Sequence, residues 1–131
     1  MADGSGIKEV SLVVIPSTDQ DRDIEFYVDK LGFEKRTDVP FGNGYRWVEV
    51  YPPNGATGIA LPPPPPNGDA GGKETGITLA SDDVDATHAA LKQAGVDVDA
   101  EVSRMGGPVP PMFWFRDPGN NSLLVVQTPA G

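Results

Sequence analysis

The chain has 131 residues, 38% of them apolar, enough for one domain with its own core. Its net charge of −9, from 10 basic and 19 acidic residues, excludes the basic footprint that nucleic-acid binding needs. No cysteine is available for a disulfide or thiolate site, no apolar run is long enough to cross a bilayer, and MADGSGIKEV lacks a signal-peptide pattern, so a cytoplasmic location is expected, with no membrane partner.

Val10 to Ile15 reads as a buried strand ended by Pro16. Asp19 suits a helix N-cap, with Asp21 and Asp23 in the first turn favouring the positive end of the dipole. Ile24, Tyr27, Val28 and Leu31 then recur at helical spacing until Gly32 stops the helix. Phe33 to Val39 is the next predicted strand, followed by a loop with an Asn-Gly turn signal. Tyr45 to Tyr51, YRWVEVY, is rich in aromatic and β-branched residues and is the clearest strand of the chain. After the turn at Pro52 to Gly55 comes a short strand, Thr57 to Leu61.

Five prolines, Pro62 to Pro66, predict a polyproline II rod of roughly 15 Å, at about 3.1 Å per residue. A PxxP recognition site and a plain spacer both fit the composition; the position between two similar halves favours the spacer. The second half predicts a strand at Gly76 to Ala80 and a helix at Asp83 to Ala94 closed by Gly95. A strand at Val96 to Val102 follows, then a Gly/Pro loop, the aromatic strand Met112 to Arg116, a turn, and a last strand, Ser122 to Thr128.

The two halves are copies of one pattern. Asp19 to Phe33, DQDRDIEFYVDKLGF, returns in weaker form as Asp82 to Val96, DDVDATHAALKQAGV, at an offset of 82 − 19 = 63. Each half reads as strand, helix, then three strands. The predicted architecture is therefore α+β: two βαβββ units forming a curved, incomplete mixed β-barrel with helices outside and a cleft within. Residues 1–131 make one domain, with units 7–61 and 75–128 joined by a Pro/Gly linker, 62–74.

Two motifs carry a resemblance to a known family. They are DQDRDIEFYVDKLGF and DPGNNSLLVVQ, the second similar to an Asp-Pro-x-Gly-Asn turn before a last strand, with Asn120 where Gly is usual. On these, the chain resembles the vicinal oxygen chelate superfamily, which includes glyoxalase I, extradiol dioxygenases and bleomycin-resistance proteins. The resemblance implies a small-molecule ligand and a homodimer, because members commonly build sites at a subunit interface. It also implies four metal-ligand positions, which fall here on Leu12, Ala60, Gly76 and Leu124, with Ser11 as an alternative to Leu12. None of those four side chains can donate to a metal, and Glu74 is the nearest donor. No metal or other cofactor is therefore expected, although a divergent metal-dependent glyoxalase or dioxygenase remains a reading.

What remains is a cleft and its lining. Trp47 and Trp114 lie on the two aromatic strands and can stack on a planar or cationic ligand, or be core or dimer-interface residues. Glu49 shares a face with Trp47; turned inward it holds a cation or acts as a base, turned outward it is a surface acid. Thr78 alternates with Gly76 and is a polar lining candidate. Arg46 and Arg116 either bind an anion or balance neighbouring acids. His88, the only histidine, reads as a helix-packing or surface residue. The function that follows is a metal-free, bleomycin-resistance-like protein that sequesters a small aromatic or cationic molecule. The alternative is a metal-independent lyase or isomerase using Glu49.

Overall fold

β1 (Leu12–Val14) is only the middle of the apolar run that contains it. In the computed structural model, which describes residues 4–66 and 68–129, β1 pairs in parallel with just three residues of β4 (Gly58–Ala60), and Val10 is left exposed. Met1 to Asp3, Asn67, Ala130 and Gly131, part of the expected domain and linker, lie outside the described residues. Among the described residues no helix is long and apolar enough to cross a membrane.

α1 (Gln20–Glu25) starts where the Asp19 carboxylate accepts the Arg22 amide at 3.1 Å. It runs on as a π-helical stretch (Phe26–Lys30) and stops at Gly32, whose φ of +78° is the left-handed conformation that glycine adopts without strain. α2 (Val84–Gln93) is built alike: Asp83 accepts the Ala86 amide at 3.0 Å and Gly95 ends it. The caps differ by 83 − 19 = 64, whereas the terminating glycines differ by 95 − 32 = 63. The first helix thus holds one extra residue between cap and glycine, and the widened π turn accommodates it.

The remaining strands are β2 (Glu34–Gly42), β3 (Tyr45–Tyr51), β5 (Glu74–Ser81), β6 (Asp97–Val98), β7 (Met112–Arg116) and β8 (Ser122–Gln127). They form two four-stranded mixed sheets, ordered β1-β4-β3-β2 and β5-β8-β7-β6, with no closed barrel. β2 and β3 form the expected hairpin, turning at Asn43 (φ 55°) and Gly44 (φ 79°). β5 begins at Glu74, inside the segment expected as linker, because its edge pairs with β8 from Ser122 onward. β6 is far shorter than the predicted strand. At Asp99 the side chain, not the backbone ladder, accepts the Trp114 amide at 3.1 Å.

Each sheet turns one face to the helices. Val48 and Val50 from β3, Phe113 and Phe115 from β7, and Leu123 and Val125 from β8 are buried there. They join Phe26, Tyr27, Val84 and Leu91 in one core shared by both units. Full burial of side chains of this size contributes about 1.5–3 kcal/mol each. α1 ties the units together, with the Phe26 ring 6.3 Å from that of Phe115 and the Tyr27 hydroxyl donating to Asp117 at 2.9 Å. The opposite sheet faces stay half-exposed within one chain, so the sharing of helix-side faces, not a closed cleft, joins the two units.

Candidate functional site

Alternation along β3 sends Val48 and Val50 to the core and Trp47, Glu49 and Tyr51 to the open face. Those three are joined by hydrogen bonds. Trp47 Nε1 donates to Glu49 Oε2 at 2.7 Å, and the Tyr51 hydroxyl donates to Glu49 Oε1 at 2.9 Å. The carboxylate is thereby held in one orientation, with both oxygens engaged. The bond to Glu49 and partial desolvation raise the Tyr51 phenol above its ordinary value.

Tyr51 is itself fixed from both sides. The Arg36 guanidinium lies 4.3 Å above its ring, and Gly58 lies beneath, where a Cβ would stand 2.6–2.8 Å from ring carbons. Arg36 is anchored by Glu34 at 3.1 Å and by the Gly55 carbonyl at 2.9 Å. Both faces of Tyr51 are therefore covered, and its hydroxyl is held against Glu49. Trp47 instead borders open space, a groove of about 800 Å³ that it lines with Tyr45 and Pro62 to Pro66.

The structure brings Trp47 and Glu49 together, while Thr78 and Trp114 lie on the second sheet. There Leu124 pairs with both, through β5 and β7. Trp114 lines a polar cavity of about 390 Å³ with Arg116, Asp99 and Glu74. Thr78 lines a different one, about 670 Å³, between β1 and β4 on one side and β5 on the other. Arg46 and Arg116 balance acids: Arg46 bonds Asp21 at 2.8 Å and Asp38 at 3.0 Å, and Arg116 bonds Asp99 at 2.8 Å and Asp97 at 2.9 Å. His88 packs edge-on against Phe113 and meets the Asp99 carbonyl at 2.7 Å.

The positions that resemblance assigns to a metal do not fit one. In the β1–β4 register Leu12 lies opposite Gly58, and Ala60 lies opposite Val14. Leu124 lies opposite Thr78. Among the described residues no three His, Cys, Asp or Glu side chains converge. Sequence reasoning missed Tyr51, although the alternation that pairs Trp47 with Glu49 extends to it. Arg36 and Gly58 carried no local signal, and Pro62 to Pro66, singled out as a spacer, line the groove beside Trp47.

The family model of the glyoxalase/bleomycin resistance protein/dioxygenase superfamily matches residues 9–125. The Bacillus subtilis protein YurT is 33% identical over 119 residues, covering 83% of this chain and 91% of that one. The crystal structure of TnmS3, an antibiotic binding protein from Streptomyces sp. CB03234, is 33% identical, covers 94% of this chain and 98% of its own, and superposes with a TM-score of 0.81. A superfamily member from Sphaerobacter thermophilus is also 33% identical, covers 94% and 99%, and gives a TM-score of 0.84.

Proposed function

The chain belongs to the glyoxalase/bleomycin resistance protein/dioxygenase superfamily, and from that premise we propose that it binds a small aromatic cation and sequesters it without a metal. The observation that carries this reading is the Glu49 carboxylate, oriented by Trp47 and Tyr51 on an open sheet face. An aromatic ring beside a fixed anion is complementary to a planar group bearing positive charge, and cation–π contact adds about 0.5–2 kcal/mol. The likeness to an antibiotic binding protein supports a small-molecule ligand. Proton transfer in a lyase or isomerase would require a substrate to compete with Trp47 and Tyr51 for the Glu49 oxygens.

The protein acts in the cytoplasm as a homodimer. Its half-exposed sheet faces, with Val14 and Val39 at half exposure or more, are the surfaces a second copy would cover. Opposed in that way, the Trp114 and Thr78 face of one copy completes the cleft over the Trp47 and Glu49 face of the other.

Titration with proflavine, a planar cation, tests the reading. Glu49→Gln keeps the side-chain shape but removes the charge: the amide oxygen still accepts from Trp47, and the amide NH2 donates to the Tyr51 hydroxyl, which becomes the acceptor. It should weaken binding about tenfold, the equivalent of about 1.4 kcal/mol. Unchanged affinity would remove Glu49 from the site.

A further inference from the structure

We propose that Pro62 to Pro66, expected from the sequence as a spacer, forms a wall of the ligand site and selects flat, ring-rich molecules. The inference rests on the aromatic-cation reading above and adds the part of the ligand that carries no charge.

The proline segment is held in place at its start. The Ser17 amide donates to the Pro62 carbonyl at 2.7 Å. The Gln20 side-chain amide bridges the two sides of the groove, donating to the Leu61 carbonyl at 2.8 Å and to the Arg46 carbonyl at 2.6 Å. The Gln20 Oε1 accepts the Arg46 amide in return at 3.2 Å. These bonds fix the prolines beside the start of β3, where Tyr45 and Trp47 stand. Pro62, Pro63 and Pro64 are half-buried, and Pro65 and Pro66 are exposed.

The groove between them, about 800 Å³, is within the usual size of small-molecule sites. Among the described residues no lining residue is charged, and the Trp47 N–H is committed to Glu49. Selection in the groove therefore rests on shape and stacking. Proline rings have no rotamers to lose, and aromatic side chains have few, so ordering the walls around a ligand costs little. Trp47 links the groove to the anion, because its Nε1 is 2.7 Å from Glu49 Oε2. A polycyclic ligand stacked on the indole, with a cationic substituent one or two bonds long, reaches both.

The test is fluorescence anisotropy of two tricyclic probes, proflavine (cationic) and acridone (neutral), on the full chain. Three proteins are compared: wild type, the length-preserving variant Pro63→Ala/Pro64→Ala/Pro65→Ala, and Glu49→Gln. Melting curves show that each variant is folded, and Pro65→Ser, at an exposed position, serves if the triple variant is not. The expected result is at least fivefold weaker binding of both probes by the alanine variant, with Glu49→Gln weakening proflavine alone. If the alanine variant weakens both probes and Glu49→Gln weakens neither, the proline wall stands and the reading of Glu49 falls. Unchanged affinity for both probes in a folded proline variant overturns the proposal. So does absence of binding by either probe to wild type, or binding of a proline-rich decapeptide in their place.

Discussion

Replacing Gly58 by alanine should disable the Glu49 clamp without touching Glu49. The added Cβ would meet three ring carbons of Tyr51 at 2.6, 2.7 and 2.8 Å, against an ordinary contact of about 3.4–4 Å. The ring must move by about 1 Å, and the Arg36 guanidinium 4.3 Å above it obstructs that movement. A shift of that size takes the Tyr51–Glu49 bond, 2.9 Å long, beyond hydrogen-bonding distance. Overpacking by one methyl costs about 1–3 kcal/mol, while replacing glycine at an unstrained φ returns about 0.4–1 kcal/mol through the unfolded chain. The balance, between about 1 − 1 = 0 and about 3 − 0.4 = 2.6 kcal/mol, centres on a net loss of about 1 kcal/mol, read by urea denaturation. The Tyr51 phenol, raised chiefly by its bond to Glu49, should titrate closer to an ordinary tyrosine, followed by phenolate absorbance. In a Tyr51→Ala background the clash is gone, and Gly58→Ala should then be neutral or stabilising. A single Gly58→Ala variant as stable as wild type, with an unchanged Tyr51 titration, would refute the argument.

Two further predictions concern the frame of the site. Tyr27→Phe removes the buried donor that the π-helical stretch extends to Asp117 across the two units, leaving that carboxylate, among the described residues, its hydrogen bonds from Asn121. The loss should be about 1–3 kcal/mol in chemical denaturation, the cost of an unmade bond to a buried polar group, and refolding should be unimpaired. Asp38 is held below the usual carboxylate range by hydrogen bonds from Lys35 and Arg46. Its folded-state value is the lower one, so its contribution is present above the unfolded value and is lost as pH falls through the folded one. Asp38→Asn should therefore flatten the acid side of the stability–pH curve below about pH 4 and leave its alkaline side unchanged.

The parts of the fold that follow from local chemistry were legible in the sequence. Asp19 as a cap, Gly32 and Gly95 as helix stops, the Asn43-Gly44 turn and the strands β3 and β7 each depend on residues within a few positions of one another. What sequence could not supply was set by distant partners. β1 is confined to the three residues in register with β4, a segment more than 40 residues away. At the end of β6 the Asp99 amide still donates to the Trp114 carbonyl, but the Trp114 amide turns to the Asp99 side chain and the regular ladder ends. The alternation of YRWVEVY puts Trp47, Glu49 and Tyr51 on one face, but only the packing of Val48 and Val50 against the helices makes that face the open one. The prolines gain a wall-forming position from Gln20, which lies more than 40 residues earlier in the chain.

The central claim is metal-free binding of an aromatic cation at Trp47 and Glu49, and calorimetric titration of the chelator-treated protein with proflavine tests it most directly. Since Leu12, Ala60, Gly76 and Leu124 offer no donor side chain, saturable binding should persist after chelation, with the same affinity when divalent ions are restored. Binding that appears only when a divalent ion is added back would contradict the claim.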